Sequence, residues 1–107
     1  MIHKSVLLKE VLEVLDIKEN NNYVDCTCGE GGHSAAILEK NGPSGRLLAI
    51  DWDKSQSEKC KKNLERFGNR AVVTNDNYAN LKEILKKENF GLVNGVLLYL
   101  GFSSAQL

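Results

Sequence analysis

The chain has 107 residues, 42% of them hydrophobic and 26% charged, an ordinary soluble balance with room for one domain at most. Lys+Arg and Asp+Glu both number 14, so the net charge is zero and bulk electrostatics give no case for a nucleic-acid binder. No apolar run approaches the roughly 18 residues that a membrane span needs, and no secretory h-region opens the chain.

Taken in order, residues 4–15 read as an amphipathic helix, with Leu7, Leu8, Val11, Leu12 and Leu15 at i, i+3, i+4 spacing. The run Lys18-Glu19-Asn20-Asn21-Asn22 is a polar turn leading to a short buried strand that ends at Tyr23-Val24. A glycine-rich loop follows, then a helix from Ala35 that stops near Asn41-Gly42-Pro43, a C-cap glycine before proline. Residues 45–50 form a second, mostly apolar strand closed by Asp51. Asp53 or Ser55 caps a helix over residues 54–67, whose narrow stripe of Cys60, Leu64 and Phe67 makes Cys60 a small core residue. A third strand over 71–74, a helix over 79–87 and a fourth strand over 96–100 complete the alternation. The fourth is apolar throughout, as for a strand buried on both faces. Strand alternating with helix predicts an α/β, Rossmann-like fold with about four parallel strands. Three cysteines (Cys26, Cys28, Cys60) without a secretory signal predict reduced thiols and a cytoplasmic protein.

The organising stretch is Asp25-Cys26-Thr27-Cys28-Gly29-Glu30-Gly31-Gly32-His33-Ser34. A strand, a glycine-rich turn and a helix make the first half of a nucleotide-binding βα unit. Glycines let the backbone turn sharply and a ligand approach it, while the helix aims free N–H groups at that ligand. The pattern is not the dinucleotide fingerprint G-x-G-x-x-G, because Ser34 stands three places after Gly31. Two acids add to it. Asp25 precedes the loop, at the carboxyl edge of the first strand, and Asp51 follows the next strand about 20 residues on, where a carboxylate takes ribose hydroxyls. Cys26 and Cys28 with His33 fall short of the usual four zinc ligands, so no metal is expected.

Four blocks resemble the bacterial 16S rRNA (cytosine-N4)-methyltransferase family. They are the segment from His3 to Leu12, the glycine loop in the form D-x-T-x-G-x-G-G-H-S, Ala49-Ile50-Asp51-Trp52-Asp53, and the segment from Leu98 to Leu107. The resemblance implies a SAM-dependent enzyme acting on a cytosine of 16S rRNA in the small ribosomal subunit. It also implies a chain roughly two to three times this length, of which these residues form the N-terminal, cofactor-binding part. Residue by residue, it implies that Gly31, Gly32 and His33 line the S-adenosyl-L-methionine (SAM) pocket and that Asp51 holds the ribose. Tyr78 would lie against the adenine, and Gln106 is a further cofactor contact; Asp25, Gly29 and Tyr99 border the same region.

Two positions depart from the family. Tyr99 stands where the family carries Asp, so a neutral hydroxyl replaces a carboxylate facing the reaction centre, and Ser5 replaces a proline. No catalytic residue is therefore assigned, and the chain by itself is expected not to methylate rRNA. Two other readings stay open: half of an NAD(P)-binding oxidoreductase, and a folded but inert binding module.

Overall fold

A computed structural model describes residues 13–26 and 32–98. Gly29, Gly31, Tyr99, Gln106 and most of the first expected helix lie outside these residues. The elements are β1 (Tyr23–Asp25), α1 (Gly32–Lys40), β2 (Leu47–Asp51), α2 (Lys54–Asn63), a 3-10 segment Glu65–Arg70, β3 (Ala71–Asn75), a second 3-10 turn Tyr78–Asn80, α3 (Leu81–Lys87) and β4 (Gly95–Leu97). The strands are parallel in the order β3-β2-β1-β4.

Period-two alternation decides which face of the sheet each strand residue serves. Tyr23, Leu47 and Ala49, joined by Ala71 and Val73, face one side, where Ile37 and Leu38 of α1 and Cys60 and Leu64 from the α2 region cover them. Val24, Leu48, Ile50 and Val72 face the other, covered by Ile84 of α3 and by Phe90. Residues of both sets are needed because helices lie on both faces, which is why β2 reads as an unbroken apolar run. Each aliphatic side chain buried this completely contributes about 1.5–3 kcal/mol. Winding explains the placement: the chain steps outward from β1 to β2 to β3, then returns through α3 on the opposite face to lay β4 beside β1. The switch point of this doubly wound sheet therefore lies at β1.

The amino ends of the strands are stitched together by asparagines. Asn41, fully buried just past α1, donates from Nδ2 to the Asn21 and Arg46 carbonyls at 2.9 and 3.2 Å. Its Oδ1 accepts from Arg70 at 2.7 Å, and Arg70 also reaches the Leu38 and Gly45 carbonyls. Asn22 accepts from the Arg46 N–H at 2.9 Å and donates to the Leu92 carbonyl at 3.0 Å, tying β1's approach to those of β2 and β4. The polar run before β1, expected as a turn, is thus a joint between segments distant in sequence.

Several expectations change in detail. The helix over 54–67 ends at Asn63 and continues as a 3-10 segment, in which Gly68 takes φ 60°. The helix over 79–87 divides into a 3-10 turn and α3, because Asn77 caps the turn by accepting from the Ala79 N–H at 2.9 Å. Strand four is not buried on both faces: Leu97 is buried, whereas Val96 is 44% exposed on a strand at the sheet's edge among the described residues. Cys60 sits in the core as read, but it is disulfide-bonded, so the expectation of reduced thiols throughout does not hold there. Of the expected N-terminal helix, residues 13–15 are helical, and Leu15 packs against the first core cluster. No helix among the described residues is long and apolar enough to cross a membrane.

Candidate functional site

The carboxyl ends of three strands open into one cavity of about 390 Å³, within the range of small-molecule sites. Cys26 borders it after β1, Ile50 to Trp52 border it at the end of β2, and Asp76 to Ala79 border it after β3. Doubly wound sheets bind ligands at this edge, beside the switch point.

Hydrogen bonds hold the two longer walls in fixed relation. The Asp51 carbonyl accepts from the Asp76 N–H and from Asn75 Nδ2, both at 3.0 Å, joining the end of β2 to the end of β3. Asp51 Oδ1 accepts from the Asp53 N–H at 2.8 Å, and Asp53 in turn caps α2 by accepting from the Gln56 N–H at 3.1 Å. On the β3 side the Asp76 carboxylate accepts from the Asn77 N–H at 2.6 Å and from Asn80 Nδ2 at 2.9 Å. These bonds, that from Asn80 foremost, pull the Asp76 pKa below its ordinary value. The carboxylate stays charged while it shapes the turn that presents Tyr78, a residue 44% exposed.

Of the expected cofactor residues, Asp51 and Tyr78 line the cavity, brought together from β2 and from the turn after β3. Gly32 and His33 form the first turn of α1, Gly32 exposed and His33 half-buried. Asp25 is fully buried at the end of β1, is not among the described residues that line the cavity, and accepts from Ser34 Oγ at 2.7 Å. That bond fastens the end of β1 to α1 across the glycine loop. Trp52 and Asp76 were not singled out from sequence, although both stand within two residues of one that was. A solitary aromatic between two acids reads as connector.

Cys26 is a free, half-buried thiol in the cavity wall. Burial, with a smaller contribution from the neighbouring Asp25 charge, raises its pKa from 9.0 to about 11. The sign follows: the neutral thiol is favoured by the fold, so this stability is full below pH 9 and is lost as pH rises through about 11. At pH 9 only ~1% of Cys26 is thiolate, the form that alkylates. Iodoacetamide is therefore expected to label Cys26 roughly 50-fold more slowly at pH 9 than an unshifted thiol. Peptide mass spectrometry across pH 7–11 checks this, and a labelling midpoint near pH 8.5 would contradict it.

Solved structures of similar architecture show the fold. A SAM-dependent O-methyltransferase from Thermotoga maritima superposes with TM-score 0.62 at 21% identity, over 68% of this chain and 28% of that one. Aeropyrum pernix fibrillarin, solved with natively bound S-adenosyl-L-methionine, superposes with TM-score 0.57 at 14% identity, over 75% of this chain and 34% of that one. The sheet is thus a Rossmann-like methyltransferase fold. In sequence, the model of the MraW methylase family matches residues 1–107. A ribosomal RNA small subunit methyltransferase H from Dehalococcoides mccartyi is 45% identical over 105 residues, covering 98% of this chain and 30% of the relative. The protein of the same name from Mycoplasmopsis pulmonis is 44% identical over 106 residues, covering 99% of this chain and 36% of the relative. The chain belongs to the MraW methylase family and spans about a third of the length of these curated relatives.

Proposed function

We propose that this chain carries the SAM-binding part of a methyltransferase that modifies a cytosine of 16S rRNA at N4. The observation that carries the cofactor reading is the cavity at the strand ends, which sets a carboxylate on β2 beside an aromatic ring after β3. Asp51 takes the ribose hydroxyls, because a carboxylate offers two acceptors to a vicinal diol. Tyr78 lies against the adenine. The amino end of α1, with Gly32 and His33 behind the glycine loop, presents backbone N–H groups to the methionine carboxylate. Gly29, Gly31, Tyr99 and Gln106 belong to the same reading through the family resemblance.

SAM supplies a methyl group made electrophilic by its sulfonium. The chain's task is to hold the donor in line with the acceptor amine and to keep competing nucleophiles quiet. Cys26 suits that task, since a thiol held protonated beside the site is a poor methyl acceptor. A cytosine amine is otherwise engaged in pairing, so the substrate is an unstacked, single-stranded base. The names of the 44–45% identical relatives support small-subunit rRNA as the substrate class.

Calorimetric titration of the chain is expected to give heat with SAM and S-adenosylhomocysteine but none with NAD. Heat with NAD alone would move the reading to an oxidoreductase. For the substrate, the chain is exchanged for the corresponding segment of the Mycoplasmopsis pulmonis relative, and small-subunit rRNA is digested to nucleosides. N4-methylcytidine is expected once Tyr99→Asp restores the family carboxylate, with little when Tyr99 is kept. A methyl group on any other atom would overturn the assignment.

A further inference from the structure

At the amino edge of the sheet, opposite the cofactor cavity, lies a second hollow of about 470 Å³. It opens between the turn that leads into β2 and the 3-10 segment before β3, and its lining is Pro43, Ser44, Arg46, Phe67, Asn69 and Arg70. The lining holds two arginines and no acid. In a chain of zero net charge this is a local excess of positive charge. Neither arginine has a carboxylate partner, since the salt bridges among the described residues join Lys18 to Asp16 and Arg66 to Glu39.

Both guanidinium groups are held in place with donors to spare. Arg70 uses Nε and Nη2 on the Gly45 and Leu38 carbonyls and on Asn41 Oδ1, which leaves Nη1 open. Arg46 lies over the Phe90 ring at 4.7 Å and makes no side-chain hydrogen bond among the described residues. Stacking occupies the flat face of a guanidinium, while its N–H donors lie in the plane and stay available. Paired forks of this kind, unmatched by acids and fixed in advance, suit an oxyanion, and phosphate above all. The hollow also has room for the sugars on either side of a phosphodiester.

We propose that this hollow seats a backbone phosphate of the substrate RNA, with Arg46 and Arg70 as its donors. The identity of the strand rests on the RNA-methyltransferase reading. The five residues of β2 separate Arg46 from the cofactor edge by roughly 17 Å, so the phosphate belongs to a nucleotide away from the target base. Such a contact fixes the course of the RNA and adds affinity without reading sequence.

The test measures binding of a short labelled uridine oligonucleotide to the whole chain by fluorescence anisotropy across salt concentrations. Arg46→Gln is expected to weaken binding by roughly three- to tenfold and to lower the salt slope by about 0.7, the value for one single-strand phosphate. Arg46→Lys, which keeps the charge and loses the fork, is expected to fall between. Lys82→Gln removes the same charge from the exposed face of α3 and is expected to stay within about twofold of the parent. Arg46→Gln is also expected to keep the parent's circular dichroism and its calorimetric affinity for S-adenosylhomocysteine. An Arg46→Gln affinity within about twofold of the parent, or an equal loss in Lys82→Gln, overturns the proposal. So does a glutamate peptide of equal charge that binds as tightly, or inorganic phosphate that binds where the RNA does not. Absence of RNA binding by a parent that still takes S-adenosylhomocysteine overturns this proposal alone. RNA binding in the expected pattern without S-adenosylhomocysteine heat supports it and removes the SAM site instead.

Discussion

Alanine at position 45 is expected to destabilise the chain by about 3–5 kcal/mol, a large share of the roughly 5–15 kcal/mol that holds a domain folded. A Cβ on Gly45 would lie 2.2 Å from the Asn41 carbonyl oxygen, 2.5 Å from the Asn21 carbonyl oxygen and 2.7 Å from Asn41 Nδ2. Two of these atoms are backbone, so no side-chain rotation relieves the clash. The Asn41 carbonyl also accepts from the Asn20 and Gly45 N–H groups, and any shift that clears the methyl strains those bonds at about 1 kcal/mol each. Arg70 and the buried Asn41 side chain would move with them. Urea titration followed by circular dichroism should show the loss as a lowered midpoint with an unchanged slope. A variant that unfolds with its parent would mean that the turn between α1 and β2 is far softer than its hydrogen bonds imply.

The second large effect falls on the cofactor. Asp51→Ala is expected to weaken S-adenosylhomocysteine binding by roughly 10- to 150-fold, the equivalent of about 1.5–3 kcal/mol for hydrogen bonds to a charged acceptor. Asp51→Asn separates two duties of the carboxylate. It keeps an oxygen for the Asp53 N–H, and so the start of α2, while offering the ribose one acceptor in place of two. An intermediate affinity at parental stability is the expected result, read by calorimetry with a melting curve on the same sample. Parental affinity in the alanine variant would remove Asp51 from the ribose and with it the proposed orientation of the ligand.

Much of this architecture was legible in the chain because apolar periodicity and burial are the same fact seen twice. Leu47 to Ile50 could be read as an unbroken apolar strand, and the sheet covers both of its faces. Asp51 was found by its distance from the glycines, which a βα unit imposes. Other features depend on partners that no local pattern announces. Asp25 is legible as a strand-end acid, but its bond from the Ser34 hydroxyl, which braces β1 against α1, is not. Val96 has the composition of a central strand, and only the sheet order shows that it lies at an edge among the described residues. Asn41 carried the signature of a helix stop, and nothing nearby marked it as the buried anchor for Arg70, 29 residues on.

The two neighbours of β1 are recruited across very different stretches of chain. Asp25 pairs with Ala49 on one side and with Leu97 on the other, loops of about 24 and 72 residues. Closing the longer loop from an open chain costs about 1 kcal/mol more in entropy, so local pairing of β1 with β2, and of β2 with β3, is the cheaper nucleus. The described lining of the cavity comes from the ends of those three strands, so that part of its wall can be assembled before the fourth strand docks.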